Sequence, residues 1–183
     1  IADVEARIQF LEKSIKENEF QLNQLAHEIH ENRVKVIPIL VEKLIQILEQ
    51  LGMPNARFDI KVNETTSYFK NGKDDLQFLF SANKGSDFGV VKKVASGGEL
   101  SRIMLAVKAI LAKYSKLPTI IFDEIDTGVS GEIANKMGDI MKEMSQTMQV
   151  FTITHLPQIA AKGSTHFKVF KTVLNEQTHS ELK

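Results

Sequence analysis

The chain has 183 residues, long enough to bury a core, with 43% hydrophobic and 25% charged residues, ordinary values for a water-soluble domain. Its 23 basic and 23 acidic residues cancel, so no global basic field advertises nucleic acid or an anionic membrane. With no Cys there is neither a disulfide framework nor a thiolate metal site, and no apolar run approaches a membrane span. No signal-peptide pattern opens the chain, which begins at Ile1 inside a periodic helix pattern and so reads as a fragment of a longer polypeptide.

The first segment carries heptads. Position a is filled by Ile1, Ile8, Ile15, Leu22, Ile29 and Val36, and position d by Val4, Leu11, Asn18, Leu25, Asn32 and Ile39. Only Asn18 and Asn32 interrupt the apolar seam, where they would fix register at some cost in stability. A 3.5-residue period held this long predicts a coiled coil; the alternative is one amphipathic helix lying on its own domain. His27 and His30 are spaced to share a metal but fall outside the seam, so they are expected as solvated side chains. Pro38 is expected to end or kink this helix, because it lacks a donor and disfavours helical geometry at Ile37. A further helix with the stripe Leu40, Leu44, Ile47 and Leu51 follows, stopped by Gly52 and Pro54.

Two strand-like runs come next, one with alternating Phe58, Ile60 and Val62, the other with Leu76, Phe78 and Phe80 after an Asn71-Gly72 turn signal. Helices and strands then alternate: a helix near Glu99–Tyr114, a strand Thr119–Asp123, a helix Gly131–Met148, a strand Gln149–Thr154, a short helix after Leu156, and a strand His166–Lys171. That alternation predicts an α/β sheet with buried parallel strands.

Four places carry chemistry. Ser96-Gly97-Gly98-Glu99-Leu100 is a capping box, Ser at the N-cap with Glu in the third helical position. The double glycine also permits close approach of another molecule, and free N–H groups at a helix start suit a phosphate. Thr119-Ile120-Ile121-Phe122 ends in Asp123-Glu124, two carboxylates at a strand end that the fold itself does not require. Ligands bind at such ends: an Asp there holds Mg²⁺, and the neighbouring Glu orients or deprotonates an attacking water, unless both are simply solvated acids. Asp126 sits in the following loop, where turn formation alone would account for it. His155 ends the next strand, either as a polar exit residue or as a donor to a phosphate oxygen.

Their order is more specific than any one of them. Ala95-Ser96-Gly97-Gly98-Glu99-Leu100-Ser101-Arg102, then Ile121-Phe122-Asp123-Glu124-Ile125-Asp126-Thr127-Gly128-Val129-Ser130-Gly131, then Ile153-Thr154-His155-Leu156-Pro157-Gln158 resemble the RecN family, SMC-like ABC ATPases of bacterial DNA repair. The resemblance runs from the heptads to about Lys171. Ala95 and Glu99 depart from the broad ABC pattern, where Leu and Gln are usual, and weaken a transporter reading. The resemblance implies a coiled-coil arm over residues 1–37 and, over 38–183, the C-terminal lobe of an ABC/SMC-type P-loop ATPase head. It implies that Ser96, Gly97, Gly98 and Glu99 contact ATP held by a second head. Asp123 would serve Mg²⁺, Glu124 would be the general base, Asp126 would couple two sites, and His155 would sense the γ-phosphate. The implied partners are an N-terminal P-loop lobe of the same protein, a second copy of the head, and DNA, with no membrane; the implied location is the bacterial cytoplasm, at the nucleoid.

No Gly-x-x-x-x-Gly-Lys-Ser/Thr occurs, since Gly72-Lys73 is followed by Asp74 and lacks the upstream glycine. The fragment by itself is therefore expected to be inactive. Lys92, Lys93, Arg102, Lys108, Lys113 and Lys116 form a locally basic stretch that reads as solvated surface. Two other functions stay open: a chromosome-architecture SMC subunit, and an ABC transporter nucleotide-binding subunit.

Overall fold

The structure, a computed structural model, describes residues 2–115, 117–174 and 177–183. Ile1 of the heptad frame and Lys116 of the basic stretch lie outside the described residues. The chain forms two compact units, Ile1–Gln46 with Asn55–Ala95, and Ile47–Pro54 with Ser96–Lys183.

The first unit is built on helix α1 (Ala2–Gln50), at 1.5 Å per residue roughly 70 Å of rod in all. Pro38 lies inside it, so the expected break does not occur. One missing N–H costs a single hydrogen bond, and the apolar positions on either side outweigh it. The seam is open: Val4, Ile8, Leu11, Ile15, Leu22, Leu25, Val36 and Ile39 are all exposed. From Ala26 onward a different face turns inward, with Ala26 buried and Ile29, His30, Arg33, Ile37 and Leu40 half-buried. The helix thus does lie on its own unit from Ala26 onward, where the seam residue Ile29 turns inward too, while most of the heptad seam stays exposed.

That stripe meets a hairpin. Strand β1 (Arg57–Phe69) pairs antiparallel with β2 (Gly72–Ser81), and β3 (Gly89–Val90) extends the sheet in the order β1-β2-β3. The turn residues are Lys70 and Asn71, one position earlier than expected, and Gly72 opens β2 at φ +116°, where other residues are strained. Phe58 faces Phe80 across the ladder with ring centroids 5.2 Å apart, and Phe80 is fully buried. The alternation read in the sequence is thus that of an antiparallel sheet, packed on one face. Asp74 on β2, its side chain 1% exposed, accepts from His30 Nδ1 at 2.7 Å and Arg33 Nη1 at 2.8 Å. Arg33 Nη2 also donates to the Asn71 carbonyl at 2.7 Å. Nearer the free end of the rod, Tyr68 Oη donates to Asn23 Oδ1 at 2.7 Å, and Lys73 reaches the same oxygen at 2.7 Å. His30 is accordingly a structural ligand of a carboxylate and not the solvated side chain expected. A short helix α2 (Val91–Val94) closes this unit.

The second unit carries α3 (Gly97–Ala112), β4 (Thr119–Asp123), α4 (Gly131–Met144), β5 (Gln149–Ile153), α5 (Pro157–Ala160), β6 (Val169–Leu174) and β7 (Gln177–Leu182). Strands β4 and β5 run parallel in register, Thr119 opposite Gln149 through Asp123 opposite Ile153. Strands β6 and β7 form an antiparallel pair of their own, with β6 starting three residues later than the expected strand. The parallel pair is not the buried core that an uninterrupted apolar run implies. Phe122 is buried and Thr152 meets the Met141 sulfur of α4, but Ile121 is 64% and Ile153 55% exposed. One face is packed; the other is an apolar surface open to solvent.

Candidate nucleotide site at the ends of the parallel strands

The start of α3 forms because its cap is complete. Ser96 N–H donates to Glu99 Oε2 at 2.7 Å, Ser96 Oγ donates to the same oxygen at 2.9 Å, and Glu99 N–H returns a bond to Ser96 Oγ at 3.4 Å. The capping reading is therefore realised, yet it leaves the glycines unexplained. Gly97 and Gly98 have ordinary helical φ, and a Cβ built on Gly97 would meet nothing within 4 Å. Among the described residues nothing crowds position 97, so no close approach within the chain accounts for a glycine there. At Gly98 a Cβ would stand 3.6 Å from the Thr127 carbonyl, in ordinary contact, which brings the start of α3 beside the loop after β4.

Strand pairing fixes the rest. Asp123 is the last residue of β4 and faces Ile153, so Asp123-Glu124 and Thr154-His155 leave neighbouring parallel strands at the same end. Glu124 N–H donates to the Ile153 carbonyl at 3.1 Å, carrying the ladder one step further. Glu124 has φ +47°, left-handed geometry that costs a non-glycine residue of order 1–3 kcal/mol and persists only where surroundings enforce it. The enforcing bonds are visible: Thr127 donates to the Glu124 carbonyl from both N–H, at 3.3 Å, and Oγ1, at 2.8 Å. The carboxylates of Asp123 and Glu124 are exposed, as is His155.

Asp126 behaves differently. It is 1% exposed; Oδ2 accepts from Thr154 Oγ1, while Oδ1 has no hydrogen-bond partner among the described residues. Thr154 did not stand out in the sequence, where it reads as one more strand residue; a polar residue directly before His155 was the available signal. An open cleft of about 450 Å³ runs along β4 to this end, lined by Leu100, Ser101 and Met104 of α3 and by Ile121, Asp123 and Glu124.

Among the described residues no three His, Asp or Glu side chains gather as a metal cage. A lone exposed carboxylate still suits Mg²⁺, which commonly takes one or two protein carboxylates and completes its shell with water and phosphate oxygens. Ser96, Gly97, Gly98, Glu99, Asp123, Glu124, Asp126 and His155 all belong to this unit. No helix among the described residues is long and apolar enough to cross a membrane.

This helix-and-sheet arrangement is the fold of an SMC-type ATPase head, its C-terminal lobe with a length of coiled-coil arm. A Pyrococcus furiosus Smc head domain with an extended coiled coil, bound to the C-terminal domain of ScpA, superposes with TM-score 0.66 at 17% identity, covering 99% of this chain and 44% of that one. A Pyrococcus yayanosii Smc head domain with a coiled coil and joint also gives 0.66, at 16% identity over 98% of this chain and 33% of that one. In sequence the similarity is to RecN. The chain is 44% identical over 163 residues to the DNA repair protein RecN of Rickettsia typhi, covering 89% of this chain and 29% of that protein. It is 35% identical over 181 residues to RecN of Halalkalibacterium halodurans, covering 97% and 32%. No family model matches. The chain thus spans about a third of the length of the RecN proteins it matches, and its resemblance to them extends over nearly all of its own length.

Proposed function

We propose that this chain is the half of an ATP-hydrolysing head that supplies the signature, the Mg²⁺ carboxylate and the general base, within a RecN-like protein of DNA double-strand-break repair and recombination. The observation that carries this is the common end of β4 and β5, where Asp123, Glu124 and His155 emerge together, with a capped helix start whose Gly97 faces open space. Asp123 takes Mg²⁺, Glu124 accepts the proton of the attacking water, and His155 donates to the γ-phosphate. Ser96, Gly97 and Gly98 meet phosphate bound to a second head, with Glu99 holding the cap and Asp126 linking the two sites. ATP with Mg²⁺ supplies the energy of the cycle.

The phosphate cradle comes from an N-terminal lobe that also covers the apolar face bearing Ile121 and Ile153. An outgoing arm covers the seam of α1, residues 1–37 forming the returning arm and 38–183 the lobe. The protein works in the cytoplasm on DNA. A solved SMC ATPase described by ATP-driven dimerization and DNA-stimulated activation shares the fold at TM-score 0.53 and 16% identity, which supports the dimeric reading by analogy only. Identity of 35–44% to RecN, against 16–17% to the Smc heads, favours repair over chromosome architecture.

The test is made in the full-length protein. Glu124→Gln keeps ATP binding and slows hydrolysis by ~10²–10⁴, the usual contribution of a general base. Asp123→Asn weakens Mg²⁺-dependent nucleotide binding itself. Equal loss of binding in both would overturn the separate roles, and the isolated chain should neither bind ATP usefully nor turn it over.

A further inference from the structure

We propose that Thr154 is a positioning residue, whose hydroxyl ties the loop of Asp126 to the loop that carries His155. It rests on the reading of Glu124 and His155 given above and assigns the element that keeps their spacing. Thr154 stands one residue past β5 and one before His155. Its Oγ1–H donates to Asp126 Oδ2, and the same oxygen accepts from Leu156 N–H at 3.0 Å. The second bond alone is a local turn of the kind Ser and Thr commonly make. The first is not local, since it joins residues 28 apart in sequence.

Among the described residues, Thr154 is the hydrogen-bond donor found for a carboxylate that is 1% exposed. Removing it leaves a buried acceptor with no donor and frees the Leu156 N–H, a paired loss that the loop escapes only by moving. Movement there reaches the proposed chemistry by two short routes. Forward along the chain, the next residue is His155. Backward, Asp126 belongs to the turn in which Thr127 grips the Glu124 carbonyl and the Asp126 carbonyl accepts from Val129 N–H at 3.2 Å.

The far side of the His155 loop is already anchored. At Gly138 of α4 an added Cβ would stand 2.9 Å from the Lys162 side chain and 3.4 Å from Ile159 Cα, so α5 lies directly on α4. Lys162 also pairs with Asp139 at 2.7 Å. His155 is therefore held from α4 on one side and on the other from the end of the β4–β5 ladder, where the Glu124 N–H bond to the Ile153 carbonyl fixes the strand and the Thr154 hydroxyl alone ties the loop to the Asp126 side chain. Valine has the same shape and suits a strand end; what it lacks is the bridge.

The experiment compares Thr154→Val and Thr154→Ser in the full-length protein, with kcat, the KM for ATP and the melting temperature measured for each. Thr154→Val should lower kcat about ten- to hundredfold, the scale of a misplacement near 1 Å, and leave KM within about twofold. Thr154→Ser restores the hydroxyl and should recover most of the loss. In an Asp126→Ala background, Thr154→Val should add less than about twofold, because the bond it removes is already gone. If Thr154→Val fails to fold, Thr154→Ala takes its place with the same outcomes. Normal kcat in Thr154→Val, or a Thr154→Ser protein as impaired as Thr154→Val, overturns the inference. A dead Glu124→Gln protein beside a normal Thr154→Val protein overturns this inference alone. Wild-type hydrolysis by Glu124→Gln overturns the general-base reading of Glu124, and with it the spacing that this inference assigns.

Discussion

In the arm-bearing unit Asp74 is buried and answered twice, by His30 and Arg33, and the facing aromatics Phe58 and Phe80 are buried against each other. In the unit formed by Ile47–Pro54 and Ser96–Lys183, buried Asp126 keeps one oxygen unanswered among the described residues, Ile121 and Ile153 lie bare, and a Cβ at Gly97 would meet nothing. Side chains of the same kinds are used in both. A hairpin braced on a helix closes its own accounts, whereas a parallel strand pair exposes an apolar face until another layer covers it.

Stability measurements can break that contrast. Phe80→Ala in this chain should cost about 3–5 kcal/mol in urea unfolding, because a fully buried ring leaves a cavity. Ile121→Ala should stay within about 0.5 kcal/mol in the same chain, as exposed positions do, although the residue sits in a central-strand sequence. Similar losses at the two positions would mean that the face of β4 is covered within the chain after all.

A subtler pair sits at the start of α3. Ser96→Ala removes the cap and should cost about 1 kcal/mol. Gly97→Ala meets no steric obstacle and restricts the unfolded chain, so it should stabilise by about 0.4–1 kcal/mol. If the open space at Gly97 is where a second head docks, that same stabilising change should slow hydrolysis by the full-length protein. A substitution that improves the part and harms the whole separates a docking glycine from a neutral one.

The smallest effect is one of pH. The hydrogen bond to Asp74 raises the His30 pKa above its ordinary 6.5, helped by the charges of Asp74, Glu64 and Glu31, with burial acting against it. Burial pushes Asp74 up from 3.8, but the hydrogen bonds from Arg33 and His30, with their charges, bring it below that value. A raised base contributes stability that is full below 6.5 and lost as pH climbs through the folded pKa. A lowered acid contributes stability present above 3.8 and lost as pH falls through its folded pKa. Melting temperature should therefore peak in mildly acidic solution and decline on both sides, and His30→Gln should remove the decline on the alkaline side. An unchanged alkaline limb in His30→Gln would assign that limb elsewhere.

Much of this was legible beforehand because period and punctuation are local. The strand Thr119–Asp123, the helix opened by Ser96 and the short helix after Leu156 stand where their patterns put them. What failed depends on partners that a pattern does not name. The turn signal at Asn71-Gly72 announced the antiparallel partner of Phe58, Ile60 and Val62, but the pairing of Phe69 with Gly72 sets the turn one position earlier. An apolar run reads as buried whether or not its second cover is present, so the bare Ile121 went unseen. The site's order could be read from Ser96, Asp123, Glu124, Asp126 and His155, but the strained φ of Glu124 and the bond from Thr154 to Asp126 exist only in three dimensions.

Pro38 has a mechanical side. A helical rod resists bending through its ladder of backbone bonds, and the ladder lacks one rung where Pro38 has no N–H to offer the Val34 carbonyl. Side-chain hydrogen bonds tie the rod to the hairpin at Asn23, His30 and Arg33, and the inward face continues past that carbonyl through half-buried Ile37 and Leu40. The missing rung thus falls within the packed stretch of the rod, and a sideways load on the exposed part of the arm concentrates its curvature where the rod leaves the hairpin, on the far side of Asn23.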